Sequence, residues 1–230
     1  MDTPDSSPSD GAPSRTASGA PKRSAGACVI SRFDRNGDGK LDALTPMTVL
    51  APQDNTTTTL DPHPTLFIYL PQTAADTAEL VIDELIPRND PDQRYSYHEI
   101  LFQDNLPVPA TAATGPRIAR YQIEEVRLEP GKVYHWQFSV LCNGSTPENG
   151  TVEGLITCEN GCTASIGNPD PDVLFWNEEI RTTAQDRKAN PDTWHELLES
   201  QGLKCFEDVP FADDLNATYT LDNDPQCFVD

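Results

Sequence analysis

Residues 128–142 read Leu-Glu-Pro-Gly-Lys-Val-Tyr-His-Trp-Gln-Phe-Ser-Val-Leu-Cys. Tyr134, Trp136, Phe138, Val140 and Cys142 fall on even positions, whereas His135, Gln137 and Ser139 fall between them. Side chains of a strand alternate between its two faces, so this spacing predicts a strand with one wholly apolar face. Pro130-Gly131 immediately before it is a turn signal. Working outward, Met47 to Cys158 is a series of short strand-like runs separated by turn residues. "TLFIYL" (Thr65 to Leu70) is continuously apolar and predicts a strand buried on both sides or in a sandwich core. "AELVIDELI" (78–86) and "YSYHEILF" (95–102) follow, then a long loop from Gln103 to Pro116. In "RYQIEEVRL" the apolar phase slips at Glu124-Glu125, which predicts a bulge or a strand end there.

The Leu128…Pro130-Gly131…Tyr134 spacing resembles the tyrosine corner at the entry to strand F of fibronectin type III domains, where the hydroxyl reaches back to upstream backbone. With about seven strand-like segments around it, the expected fold is mainly β. It is an immunoglobulin/fibronectin-III-like β-sandwich with two C-terminal helices. The first helix is permitted from Asp172, with Val173, Trp176 and Ile180 on one stripe. The second has Asn190 as N-cap, Pro191 at the first helical position, an apolar face of Trp194, Leu197 and Leu198, and Gly202 at the C-cap. The expected organisation is a disordered tail (1–27), the sandwich (28–165), a helical extension (166–204) and an acidic tail (205–230). Residues 1–27 offer no aromatic or large aliphatic side chain after Met1 to offset the entropy of ordering.

A formal net charge of -21 repels nucleic acid and anionic membranes, and no apolar run is long enough to span a bilayer. The six cysteines lack zinc-site spacing, which favours disulfides and an oxidising compartment. Cys205 with Cys227 and Cys158 with Cys162 are pairings guessed from proximity. The N-terminal "MDTPDSSPSD" carries no apolar signal segment, so the chain is read as a mature extracellular, cell-surface or periplasmic form with its signal removed. Asn55, Asn143, Asn149 and Asn216 each begin a glycosylation triplet.

"DPHPTLFIYLP", "AELVIDE", "LEPGKVYHWQFSVLCN", "GTVEGLI" and "WHELLESQGL" occur in this order over residues 45–203. Together they resemble the secreted cyanobacterial family catalogued as domain of unknown function 928. That resemblance implies export, a β-sandwich-like core with C-terminal helices, and a pairing of Cys28 with Cys142. It supplies no catalytic residue. The Cys158–Cys162 loop, the insert at 34–42 and the acidic C-terminus depart from the family pattern.

The stretch that holds this insert, "FDRNGDGKLD" (33–42), places oxygen donors at Asp34, Asn36, Asp38 and Asp42, with the Lys40 carbonyl between them. Counted from Asp34, position 12 is Thr45 rather than a glutamate, and Pro46 blocks an exiting helix, so it is not an EF-hand. Two readings stand: an open calcium turn completed by a carboxylate from elsewhere, or a metal-free Asn-Gly, Asp-Gly turn. His63, His98, His135 and His195 lie in no metal-ligand spacing with one another, and no nucleophile motif such as G-x-S-x-G is present. His98 and His135 read as outward polar residues on strands, and Trp136, Trp176 and Trp194 as packing residues. The functional expectation is a non-enzymatic binding or adhesion module for an extracellular protein or glycan, with calcium as a supporting ion. The alternatives are a filament or matrix subunit that self-assembles through its N-terminal arm, and a hydrolase using His98 or His135.

Overall fold

The computed structural model describes residues 32–33, 42–87, 95–142, 146–159, 175–214, 225 and 227. Two sheets dominate. A five-stranded sheet has the order β4 (Thr56–Thr59), β10 (Thr146–Cys158), β9 (Val133–Cys142), β6 (Thr77–Pro87), β7 (Tyr95–Pro107). A three-stranded sheet has the order β3 (Thr48–Val49), β5 (Thr65–Leu70), β8 (Arg117–Gln122). A separate short ladder pairs β1 (Arg32–Phe33) with β2 (Asp42–Ala43). Neighbours pair antiparallel except β4, which runs parallel to β10. The helices are α1 (Thr111–Thr114), α2 (Trp176–Asp186) and α3 (Pro191–Ser200), followed by a 3-10 turn at Lys204–Phe206.

The apolar runs decide how these elements stack. Tyr134, Trp136, Phe138 and Val140 of β9 point inward and meet Leu66, Ile68 and Leu70 of β5 in the core between the sheets. The intervening Phe67 and Tyr69 face the other way. They enter a second core with Trp176, Ile180, Trp194, Leu198, Phe206 and Phe211. An unbroken apolar strand therefore sits in the middle of three layers: large sheet, small sheet, helices. Each fully buried large apolar side chain contributes about 1.5–3 kcal/mol. On β10, Gly154 lies opposite Trp136, and a Cβ there would meet the indole at 2.8 Å.

The turn before β9 closes as its spacing predicts. The Glu129 backbone N–H donates to the Tyr134 hydroxyl at 2.9 Å, while Gly131 takes φ +74° in the turn. Burial pushes the phenol above its ordinary pKa, although the Glu129 hydrogen bond opposes this. Tyr134→Phe is expected to cost about 1 kcal/mol in a urea titration, the usual net worth of one hydrogen bond.

Other expectations need correction. The run from Gln103 is not all loop: β7 continues to Pro107, paired along β6, because ladder hydrogen bonds hold polar residues there without an apolar alternation. β8 ends at Gln122, just before the phase slip, and Ile123, Val126 and Leu128 then fill the sandwich core from a loop. α2 starts at Trp176; Val173 lies outside the described residues. Asn190 precedes α3 but makes no capping hydrogen bond, its amide going to Asp186 instead. Gly202 does terminate that helix, with φ +68° and Leu203 N–H donating to the Leu198 carbonyl at 2.8 Å.

The stretch after α3 is part of the fold. Phe206, Val209, Phe211 and Cys227 are buried in the second core. Residues 210–212 run beside β8: Ile118 N–H donates to Pro210 O, and Ala212 N–H to Ile118 O, both at 2.9 Å. Arg187 stacks 3.8 Å from the Phe211 ring centroid and bonds Asp214 at 2.6 Å. Lys188 also reaches Asp214, and it is chiefly this bond that holds the carboxyl below its usual pKa. Cys205 and Cys227 are joined, with their Cα atoms 5.8 Å apart. Cys142 and Cys158 are disulfide-bonded too. Their partners, and with them the pairings involving Cys28 and Cys162, lie outside the described residues.

Candidate functional site

The outer face of the five-stranded sheet carries a polar network that spans several strands. Register assembles it from three strands. Asp83 of β6 lies opposite His135 of β9, and Gln137 of β9 lies opposite Glu153 of β10. One row further, Ser139 lies opposite both Glu79 and Thr151. The His135 ring is held between two carboxylates, Nδ1 3.3 Å from Asp83 and Nε2 3.3 Å from Glu153. A neutral imidazole has one N–H and serves one carboxylate; the doubly protonated ring serves both. Beside it, Gln137 donates to Ser139 Oγ at 3.1 Å, and Ser139 Oγ lies 2.9 Å from Thr151 Oγ1. Gln103 of β7 donates to Glu79 at 2.7 Å.

His135 is only 6% exposed, so the expectation of a surface residue fails for it; Ser139, on the same face, is 1% exposed. Central position in the sheet and flanking side chains cover them. His135 and Asp83 make half of an acid–base relay, but the second nitrogen faces another carboxylate rather than a hydroxyl. Asp83 and Glu153 lie on opposite ring nitrogens and do not converge on one point. Among the described residues, no three His, Cys, Asp or Glu side chains form a group able to hold a metal ion. The arrangement can fix a charged, hydrogen-bonding surface in place.

At one end of the same sheet Lys132 bridges Glu84 and Glu129, each at 2.9 Å. The hydrogen bonds to Glu129 and then Glu84 hold its ammonium well above the ordinary lysine range. On β7 the register with β6 shifts at Ile82/Asp83, leaving Leu101 as the extra residue of a bulge. Ile100 and Leu101, adjacent in sequence, are both exposed there.

Of the calcium-loop residues, Asp34, Asn36, Asp38 and Lys40 lie outside the described residues, and Asp42 pairs with Phe33 through its β2 backbone. His98 lies on β7 with no described side chain. Trp136, Trp176 and Trp194 are core residues, as their stripes predict. Asn55 is 1% exposed with φ 54°, which leaves its glycosylation triplet no room for a glycan in the folded chain. Asn143, Asn149 and Asn216 have no described side chains. Asp83 and Glu153 were not singled out by sequence. The only signal was that both are acidic residues in otherwise strand-like runs.

A family model described as Domain of Unknown Function (DUF928) matches residues 30–161, which include every strand of both sheets. The chain belongs to this family. The polar face is therefore built wholly from the DUF928 segment, whereas α2, α3 and the C-terminal segment lie beyond the match. Among solved structures, the sporulation control protein Spo0M from Bacillus subtilis is similar over 61% of this chain and 54% of its own, at 8% identity and TM-score 0.28. A beta-glucosidase from Listeria innocua, in complex with gluconolactone, is similar over 57% of this chain and 22% of its own, at 8% identity and TM-score 0.24. A comparison with curated proteins finds no match. No helix among the described residues is long and apolar enough to cross a membrane.

Proposed function

We propose that this DUF928 chain is a secreted or cell-surface, non-enzymatic binding or adhesion module, whose outer sheet face engages an extracellular protein or glycan. The observation that carries this reading is the cross-strand network of Asp83, His135 and Glu153 with Gln137, Ser139 and Thr151. Its groups are tied to one another in a rigid sheet, and its one hydroxyl pair is hydrogen-bonded to itself rather than to a base. Fixed polar groups on a scaffold suit recognition, because little side-chain entropy is lost on binding. The finer fold reading is an immunoglobulin/fibronectin-III-like sandwich. Supporting it, β3-β5-β8 opposite β10-β9-β6-β7 has the order A-B-E opposite G-F-C-C′, and the tyrosine-corner bond precedes β9. Disulfide-bonded cysteines support an oxidising compartment.

The test is a glycan array and a surface-protein pull-down with the wild type beside Glu79→Arg/Gln103→Arg, which changes the rim of the face. A ligand retained by the wild type and lost by the variant is expected; a variant that binds as well as the wild type would sink the assignment of the face. Calcium enters as a support at Asp34, Asn36, Asp38, Lys40 and Asp42. The expected result is a calcium-dependent rise in Tm over chelator that Asp34→Ala/Asp38→Ala abolishes; equal melts with and without calcium would make the loop a plain turn.

The filament or matrix alternative is favoured by one feature, the long β7 edge with Ile100 and Leu101 exposed on it. Assembly that vanishes on deletion of residues 1–27 would mark it. A hydrolase is the third reading. His135→Ala and His98→Ala should then abolish whatever activity a substrate panel reveals.

A further inference from the structure

Among the described residues, the buried side-chain polar atoms without a hydrogen-bond partner belong to Asn55, Asn177 and Glu178. All three flank one seam: Asn55 immediately precedes β4, and Asn177 and Glu178 form the first turn of α2, which packs on β4. Glu178 uses its other oxygen well, accepting from Thr59 Oγ1, Leu60 N–H and Asp61 N–H at 2.8, 2.9 and 3.1 Å. Asn177 is different. It is 6% exposed, its Nδ2 donates to nothing, and it lines a cavity of about 10 Å³ beneath α2. The walls include Thr57, Thr65, Trp136, Trp176 and Ile180. Thr57 Oγ1 donates to the Leu155 carbonyl at 3.2 Å and keeps lone pairs to accept with.

A buried amide N–H left unpaired costs about 1–3 kcal/mol, so native structures seldom keep one dry. A void of roughly 10–15 Å³ on this measure is the size of one water molecule, and internal waters occupy polar cavities where two or more groups can bond them. A wholly apolar cavity of the same size would stay empty; this one has Asn177, Thr57 and Thr65 among its lining residues. We infer that the cavity between α2 and the sandwich is a binding site for a single ordered water. There the water accepts from Asn177 Nδ2 and donates to the threonine side, joining the helical layer to β4 through a hydrogen-bonded bridge. This goes beyond the binding-face reading and shares no residue with it.

The test is a high-resolution crystal structure of the full chain, with water–protein NOE spectroscopy on the Asn177 side-chain amide in solution. One water peak within hydrogen-bonding distance of Nδ2, and a long-lived water contact in solution, are expected. A dry cavity in the wild type would overturn the inference. Asn177→Leu adds an independent reading: with the water present, losing both the amide and its partner leaves the folding constant within about threefold of wild type. If the amide were simply dry, removing it would raise that constant by about tenfold or more, which would also overturn the inference. Should the leucine variant fail to fold, the wild-type density and NOE still decide.

Discussion

A chain ending at Lys204 is expected not to fold. It would lack Phe206, Val209, Phe211 and Cys227, all buried in the core between the small sheet and the helices. Phe211 alone packs edge-on against Phe67 at 6.2 Å, against Trp194 at 5.6 Å and under the Arg187 guanidinium. Replacing one buried phenylalanine by alanine costs about 3–5 kcal/mol, and whole domains are stable by only about 5–15 kcal/mol. Losing several such residues, the backbone pairing along β8 and the Cys205–Cys227 link exceeds that margin. The check is far-UV and near-UV circular dichroism of the truncated chain beside Phe211→Ala. The single variant should keep a cooperative urea transition shifted down by about 3–5 kcal/mol, and the truncation should show none. A truncated chain that melts like the full one would make the segment an appendage after all.

Gly154→Ala should be the most damaging small substitution on the strands. The residue faces inward on β10 directly opposite Trp136, and an added methyl would sit 2.8 Å from three indole atoms. The indole has little room to retreat, because Trp136 is 3% exposed in the sandwich core and the cavity it lines is only about 10 Å³. Overpacking a well-filled core costs about 1–3 kcal/mol. The upper part of that range is expected, since both strands are held in register by neighbours on each side. Chemical denaturation gives the value, and tryptophan fluorescence reports whether the ring has moved. A variant of unchanged stability would mean that the strand pair yields more easily than its ladder implies.

What the sequence disclosed was local. Alternation from Tyr134 to Cys142 gave β9 and its inward face, and the unbroken run from Thr65 to Leu70 gave a strand covered on both sides. The Pro-Gly turn and Tyr134 gave the corner. Register was not legible: Asp83 and Glu153 stand 52 and 18 residues from His135, and only the pairing of three strands brings them to its ring. The C-terminal segment was masked by its own composition. Its acids read as an acidic tail tied by Cys205 and Cys227, yet Asp213 and Asp214 pair with Arg120, Arg187 and Lys188 while the few apolar residues of the segment turn inward. Gln103 to Pro107 misled for the opposite reason. Leu106 keeps phase with Phe102 and packs against the sandwich core, but the polar Asp104 between them broke the alternation that would have announced the strand.

The closing of the second core by Phe206, Val209, Phe211 and Cys227 also sets a timetable. Phe67 and Tyr69 are made well over a hundred residues before the aromatic rings that cover them, Phe211 and Phe206. β4 likewise waits for β10, about a hundred residues later, for its ladder. A growing chain therefore carries its middle layer half-covered until Phe206, Val209 and Phe211 have been made. Its middle layer closes in one late and concerted step rather than strand by strand.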